Sequence, residues 1–511
     1  MERAHASDAG ASSHPVYDLL IVGGGINGAG IARDAAGRGL RVLLVEADDL
    51  ASHTSSASTK LVHGGLRYLE HYELRLVREA LAERERLMAI APHIIWPLQF
   101  VLPQPPDGRP EWLIRLGLLI YDNLGARKSL PRSFGVSLPR SRFGRGLNGQ
   151  TKKGVVYADC WVDDARLVVL NAMDAAARGA TIRTRTRLAT VRVEDGLWVA
   201  GLRDARTGAI DEVRPRVVVN AAGAAVGDVL AVARPGGANA QPRLVKGSHI
   251  VVPRLYDGPH AFILQNPDKR VVFAIPYEER FTLIGTTDVP WRAGQGSPRI
   301  DAEETAYLCG SVNRYLARRI GPEDVVHRFS GVRPLYDDGR ADSASVTRDY
   351  VLQLDVEGSP PILSVFGGKI TTHRRLAEHA LEKLEPLLIM ESGPWTATQT
   401  LPGGDLPRGS LAGFTQEVRR RWPFLGDALA ARLSRSYGTR TLAIVGDATT
   451  LSGLGEHFGG GLYAAEVDYL VAHEWARTAE DILWRRSKLG LHAGPNAAAA
   501  LDRYLGTGVS A

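Results

Sequence analysis

Cysteine is scarce in this chain: Cys160 and Cys309 are the only two among 511 residues. Two thiols cannot build a disulfide framework; they fit a reducing compartment and leave no cysteine-based metal site. The histidines are scattered and show neither HxxxH nor CxxC-type spacing, so no metal site is expected. No uninterrupted apolar run reaches the roughly 18 residues that a bilayer-spanning helix needs. The first 14 residues, MERAHASDAGASSH, lack the apolar segment of a secretory signal and read as a disordered leader. Internal repeats are absent too. What remains is the balance of a soluble globular chain, 44% hydrophobic and 23% charged, long enough for two or three domains.

The net charge is +6 and the pI about 9.3. That total points weakly to anionic ligands, anionic lipid or nucleic acid, and equally to an arginine-rich composition with no such partner. Its distribution says more. Between Arg109 and Lys153 there are ten Lys/Arg against two acids, Glu111 and Asp122. The segment contains WLIRLGLLIYDNLGARKSL, an apolar stretch with basic ends, which suits either a membrane interface or a core helix with a basic exit loop.

YDLLIV (Tyr17–Val22) is a short apolar strand ending in glycines, Ile26–Arg38 reads as a helix, and RVLLVE (Arg41–Glu46) as a second strand: a βαβ unit with a parallel sheet. A Ser/Thr-rich loop follows at Ala51–Lys60, then an exposed-face helix over Leu74–Met88. PLQFVLP, HIVVP, AFILQ, RVVFAIPY and FTLIGTTD are short strands broken by Pro, Gly and Asn/Asp, and predict an inserted antiparallel sheet. RVVVNAAG and PILSVFGGKITTHRRLAEHALEKL return to apolar strands with glycine turns, so the parallel-sheet domain is discontinuous. After Pro386 a linker leads to a mostly helical remainder. The expected organisation is α/β, with a cofactor domain over 15–90, 155–242 and 330–386, a substrate domain over 91–154 and 243–329, and an all-α C-terminal domain over 387–511.

Gly23-Gly24-Gly25-Ile26-Asn27-Gly28 fits G-x-G-x-x-G between a strand and a helix. Its glycines serve the tight turn, the backbone approach to a pyrophosphate and the packing of helix on strand. Phosphates then meet exposed N–H groups at the positive end of a helix. Glu46 closes the next strand, placed to accept from a ribose diol. The loop Thr54–Lys60, the NAAG turn and the GGKITT turn all fall at strand ends of one sheet, and that convergence suits FAD better than NAD.

The stretch IVGGGINGAGIARDAAGRGLRVLLVEADDLASHTSSASTKLVHGGLRYLEHYE closely resembles the N-terminal signature of the bacterial aerobic, FAD-dependent sn-glycerol-3-phosphate dehydrogenases. CWVDDARLV, KGSHIVVP, GTTDV, SGVRPL, TRDY, SVFGGKITTHRRLAEHALEKL and AAEVDYLVAHEWARTAEDILWRRSKLGL match the family in order, from about Tyr17 to about Leu491. The resemblance implies a glutathione-reductase-like FAD domain with a Rossmann-type sheet, an antiparallel substrate domain and a helical cap. It implies oxidation of glycerol 3-phosphate to dihydroxyacetone phosphate at a flavin, with electrons passed to a membrane quinone on the cytoplasmic face of the inner membrane. An oxidase that delivers the electrons to O2 is the alternative. A homodimer is expected, and no nucleic acid partner.

On this reading the FAD is held by Gly23, Gly25, Ile26, Asn27, Gly28, Glu46, Thr54, Ser55, Ser56, Ser58, Lys60, His63, Gly64, Gly65, Leu188, Ala222, Gly223, Gly331, Gly368, Lys369, Ile370 and Thr371. Gly64-Gly65 is expected to let backbone lie against the flavin where a Cβ would collide. The reaction needs a base near neutrality, which favours histidine: His249 first, at the start of an inner-sheet strand, then His63. The substrate phosphate calls for the planar fork of arginine, from Arg67, Arg333 or Arg348, with Tyr68 beside Arg67. Arg333 has a second possible place, at the substrate hydroxyl or the reduced flavin. Lys369, at a helix start where its charge opposes the dipole, is assigned to the substrate or the flavin. Asp163 and Asp164 are read as caps of the helix that follows.

Overall fold

The computed structural model describes residues 15–66, 69, 72–105, 110–125, 129–236, 242–292, 294–336, 349–357 and 360–506. The leader and three expected substrate residues, Arg67, Tyr68 and Arg348, lie outside the described residues.

The first sheet has the spatial order Thr181–Arg183, Val42–Val45, Val16–Val22, Ile210–Asn220, Ile362–Phe366, Val351–Asp355. All neighbours are parallel except the last pair, an antiparallel edge. Side chains alternate across a strand, and here they serve two cores. Leu19, Ile21, Val42 and Leu44 face the helices Ile26–Gly37, Asp164–Ala177 and His373–Leu384. Leu20, Val22, Leu43 and Val45 face a three-stranded antiparallel layer carrying Leu188, Trp198 and Leu202. Burial on both faces explains why these strands read as continuous apolar runs.

The second sheet has ten strands, ordered Val289–Trp291, Arg243–Pro253, Phe281–Gly285, Val271–Tyr277, Ala261–Gln265, Ile95–Pro103, Lys153–Val162, Leu61–Val62, with His327–Leu335 also on Arg243–Pro253 and Phe134–Ser137 on Lys153–Val162. It is antiparallel apart from the contact of Ala261–Gln265 with Ile95–Pro103. The helix Ala302–Asn313, begun by a reciprocal Asp301/Glu304 capping box, covers one face. The opposite face packs on Leu74–Ile90 and Glu111–Leu124.

Membership of the sheets moves the expected boundaries. Lys153–Val162 pairs along nearly its whole length with Ile95–Pro103, so the return to the cofactor domain falls at Asp163 rather than at 155. Leu61–Val62 and the whole of His327–Leu335 also belong to the second sheet. Apolar strands of both sheets look alike in sequence, and only the pairing partner tells them apart.

The C-terminal part carries the helices Leu411–Arg421, Gly426–Tyr437, Thr441–Val445, Ala464–Glu474 and Ala497–Gly506, plus one small hairpin. It docks on the cofactor domain through buried charge. Arg486 takes both oxygens of Asp49 at 2.8 Å, Arg485 reaches the same carboxylate at 2.6 Å, and Arg166 pairs with Glu474.

Glu111–Leu124 is unusual among these helices. Its buried residues are Leu118 and Tyr121, while Trp112, Leu113, Leu116, Leu119 and Ile120 are all exposed, Trp112 by 67%. Among the described residues no helix is long and apolar enough to cross a membrane.

Candidate active site

The glycine turn is shaped by contact as well as by conformation. Gly23 sits at φ +114°, and a Cβ there would lie 2.5 Å from the Ala221 carbonyl oxygen in the NAAG turn. A Cβ on Gly28 would lie 1.9 Å from the Gly23 carbonyl oxygen. The helix that starts at Ile26 has Gly25 as its N-cap, with no side-chain cap and no acid in the first turn. An N-terminus built this way suits a bound anion. Ser55 Oγ accepts from the Ile26 N–H at 3.0 Å and so ties the Ser/Thr loop to this turn. Glu46 accepts from Gly24 N at 2.6 Å and Asp48 N at 2.9 Å. Burial raises its pKa, and those two N–H groups pull it back. Its carboxylate is thus fixed beside the turn, where a ribose diol belongs. Ala222 and Gly223 stand next to the fingerprint, Gly223 at φ +60°. Leu188 lies buried in the layer beneath, paired across strands with Leu202. These residues fit the adenosine and pyrophosphate portions of FAD.

The Ser/Thr loop divides. Thr54 donates to the Val332 carbonyl at 2.6 Å and Ser56 to the His53 carbonyl at 3.3 Å, which fixes the loop against the strand His327–Leu335. Gly331 permits that crossing, since a Cβ there would meet Ala57 Cβ at 2.8 Å. Lys60 and Ser58 depart from their expected role. Lys60 is 2% exposed; its ammonium donates to Asp164 Oδ1 at 2.7 Å and to the Ser56 carbonyl at 3.0 Å. Ser58 donates to the other oxygen of Asp164 at 2.8 Å. Both side chains are committed to holding the loop on the helix Asp164–Ala177. Asp163 is the cap, accepting from Arg166 N at 3.3 Å; Asp164 is the buried partner of Lys60.

Two glycine turns meet beside this loop. The His63 N–H donates to Thr371 Oγ1 at 3.2 Å, so the H-G-G turn and the G-G-K-I-T turn, 308 residues apart, are directly bonded. Lys369 N-caps the short turn Ile370–Thr372 and stands close enough to His63 to lower its pKa, after the larger effect of burial. Asn27 Nδ2 donates to the Gly367 carbonyl, and a Cβ on Gly368 would lie 2.8 Å from that same nitrogen. Asn27 Oδ1 is buried without a protein partner. An orphaned acceptor at the head of the first helix fits a ligand donor.

Gly64 is required for another reason than the one expected. A Cβ there would strike Leu81 Cδ2 at 2.5 Å and the Tyr121 hydroxyl at 2.6 Å. The obstruction comes from the helices Leu74–Ile90 and Glu111–Leu124 of the protein itself. Gly65 is demanded by its backbone, at φ +76°. Beneath the turn lies a buried network that no sequence motif announces. Tyr121 donates to Asp159, Arg84 Nη1 donates to Asp159 Oδ1 at 2.6 Å, and Gly64 N donates to the Tyr121 oxygen at 2.8 Å.

His249 is placed differently from the expectation. It sits in the middle of Arg243–Pro253, 2% exposed, stacked on Phe329 with centroids 4.9 Å apart, its Nε2 3.0 Å from Thr59 Oγ1. Burial, with Lys60 and Arg333 nearby, lowers its pKa to about 3. A ring so reluctant to take a proton suits a base at neutrality poorly; one of its nitrogens, Nδ1, is buried without a partner. His63 is half-buried, and burial lowers its pKa as well. Arg333 extends over Gly247, where a Cβ would collide with its Nη2 at 2.4 Å; it donates to Asp288 Oδ1 at 2.8 Å and to the Thr287 carbonyl at 3.2 Å. Thr59, in the Ser/Thr loop, and Asp288, in the GTTDV motif, join these candidates without having been singled out individually, and Phe329 lies outside every motif named above.

One acid–histidine cluster appears where none was expected: ligand atoms of Glu46, Asp48 and His53 lie within 4.8 Å of one another. Both Glu46 oxygens accept backbone N–H groups, and His53 Nε2 lies 2.9 Å from Asp48. These bonds within the protein account for the cluster.

A two-sheet molecule with a G-x-G-x-x-G turn, a ribose carboxylate and converging loops from distant segments defines an FAD-binding oxidoreductase. The chain belongs to the FAD dependent oxidoreductase family, whose model matches residues 18–374, and residues 395–506 match the C-terminal domain of alpha-glycerophosphate oxidase. It is 52% identical over 510 residues to a glycerol-3-phosphate dehydrogenase of Pseudomonas aeruginosa, covering 99% of this chain and 98% of that one. It is equally 52% identical to a D-erythritol 1-phosphate dehydrogenase of Brucella abortus, over 93% and 95% of the two chains. The structure of the glycerol-3-phosphate dehydrogenase from Bacillus halodurans complexed with FAD superposes with a TM-score of 0.71 at 28% identity, covering 93% of this chain and 86% of that one. The resemblance drawn from the motifs therefore holds over nearly the whole length.

Proposed function

We propose that the protein oxidises sn-glycerol 3-phosphate to dihydroxyacetone phosphate. The observation that carries this reading is the bond between the His63 and Thr371 turns, which brings a half-buried histidine and Lys369 to one end of the cofactor cradle. Bound FAD supplies the hydride acceptor. The chain supplies the rest: His63 takes the hydroxyl proton, Arg333 holds phosphate oxygens in exchange for part of its contact with Asp288, and Lys369 offsets negative charge at the reacting end. His249 and Phe329 wall the site and exclude water. The Pseudomonas and Brucella relatives name two polyol phosphates, so the discriminating test compares glycerol 3-phosphate, D-erythritol 1-phosphate and glycerol as reductants of the purified yellow protein. Glycerol 3-phosphate is expected to be preferred by kcat/KM; preference for the tetritol phosphate would transfer the assignment.

The electrons are assigned to a membrane quinone. The apolar outer face of Glu111–Leu124 supports this, as does a groove beside it lined by Arg115, Leu116, Leu119, Arg132 and Phe134. Exposed large apolar side chains with arginines at their edge fit an anionic lipid surface and support the reading of a peripheral protein; attachment on the cytoplasmic face belongs to the same proposal. Turnover with a quinone analogue should greatly exceed peroxide release; peroxide accounting for all the electrons would make the protein an oxidase.

A further inference from the structure

We infer that Tyr121 is a positioning residue that ties the lipid-facing helix Glu111–Leu124 to the turn carrying His63, so that seating this helix on a bilayer sets the placement of His63. The inference rests on the proposed function, in which His63 is the base and this helix meets the membrane.

The helix has two buried residues, Leu118 and Tyr121, and Tyr121 is the polar one. Its hydroxyl accepts from the Gly64 N–H and donates to Asp159, each at 2.8 Å. Burial and the neighbouring Asp159 raise the phenol pKa well above its usual value, so the donor is retained at all working pH. Arg84 Nη1 donates to Asp159 Oδ1, an oxygen that also faces the Tyr121 hydroxyl, and neutralises the carboxylate, which makes it a fixed anchor. The ring packs edge-on against Tyr157, with centroids 6.0 Å apart and planes at 85°.

The turn has no slack against this helix. The missing Cβ of Gly64 leaves room for the Tyr121 oxygen and for Leu81, which would lie 2.6 and 2.5 Å from it. On its other side the turn is bonded through His63 N to Thr371, in the segment of the cofactor domain that carries Lys369. His63 therefore hangs between two attachments, one to the cofactor domain and one to the apolar helix. A bilayer gains by binding Trp112, Leu113, Leu116, Leu119 and Ile120 only when the helix presents them together, and so favours one helix position over others. That preference reaches the reacting end through the Tyr121 hydroxyl.

The test uses the FAD-loaded full chain and a soluble dye acceptor, so that quinone access plays no part, with and without vesicles of phosphatidylglycerol and phosphatidylethanolamine. Wild type is expected to float with the vesicles and to gain several-fold in kcat. Tyr121→Phe, which keeps the ring and loses the hydroxyl, is expected to float equally, to lose the vesicle stimulation, and to fall about tenfold in kcat with KM within about twofold, because a small misplacement of a reacting group is felt in the barrier. A purely structural role would lower the melting temperature or FAD occupancy and leave kcat per bound FAD and its stimulation as in wild type; that result overturns the inference. A wild type unstimulated by vesicles overturns it as well. Failure of glycerol 3-phosphate to bleach the wild-type flavin would instead sink the reading on which it rests, and this inference with it.

Discussion

The Asn27 amide donates to the Gly367 carbonyl at 3.1 Å, joining the first cofactor helix to a turn 340 residues further along the chain. It holds Lys369 in register with the glycine fingerprint. Asn27→Ala removes a part-buried hydrogen bond worth about 1 kcal/mol, and also a candidate FAD contact through the orphaned Oδ1. Weaker FAD retention on dilution is expected, with little change in melting temperature of the apoprotein. Flavin fluorescence released on gel filtration measures it.

The two candidate histidines separate by pH. Activity requires the base unprotonated, so kcat/KM falls as pH drops through its pKa. Burial, followed by Lys369 and Arg84 against the opposing pull of Asp159, lowers the His63 pKa from 6.5, so the acid limb should lie below that pH. His249, at about 3, stays neutral over the whole working range and contributes no limb. His63→Asn should abolish the limb and cut kcat by about 100-fold or more. His249→Asn should keep the limb. The pH profile of kcat/KM in the two variants decides between them.

Under the proposed function Arg333 holds the substrate phosphate; Gly247 leaves room for its guanidinium, and its ion pair with Asp288 joins two side chains that are each more than a third exposed. Arg333→Ala should raise KM for glycerol 3-phosphate about 10- to 100-fold, the loss of one or two charge-assisted hydrogen bonds. Arg333→Lys should recover part of that loss. Unchanged steady-state constants would remove Arg333 from the site.

The docking of the C-terminal part should be sensitive to acid. Burial raises the Asp481 pKa, but the Arg477 N–H, Arg185 and Arg485 more than reverse this and bring it to about 2 from 3.8. A carboxylate depressed in the folded state contributes stability that is present above the unfolded pKa and lost as pH falls through the folded one, here between about 4 and about 2. The shift corresponds to about 2 kcal/mol. Asp481→Asn should lower the melting temperature at pH 7 and flatten its fall toward pH 3, as read by differential scanning fluorimetry.

The cofactor half of this molecule was legible because its signals are local. Gly23, Gly25 and Gly28 lie within six residues, Glu46 closes the adjacent strand, and the apolar runs carry the two-sided burial of a parallel sheet. The reacting half was less so, because its decisive contacts are long-range. Lys60 and Ser58 looked like cofactor ligands until Asp164, more than 100 residues on, claimed both. His249 sat in a family motif, yet its burial depends on Phe329 stacking from another strand and on Gly285 leaving space for its ring. Tyr121 carried no signal: an aromatic in an apolar helix says nothing of the Gly64 N–H that it meets.

In the proposed function this FAD enzyme takes a hydride from glycerol 3-phosphate at the His63–Lys369 end of its cradle. Anaerobic addition of glycerol 3-phosphate to the purified holoprotein, followed at the oxidised-flavin absorbance band, tests it in one step. Complete and rapid bleaching is expected, with glycerol inert and His63→Asn slowed about 100-fold or more at equal FAD content. An unbleached flavin in FAD-loaded wild type, or bleaching by glycerol at the same rate, would contradict the account.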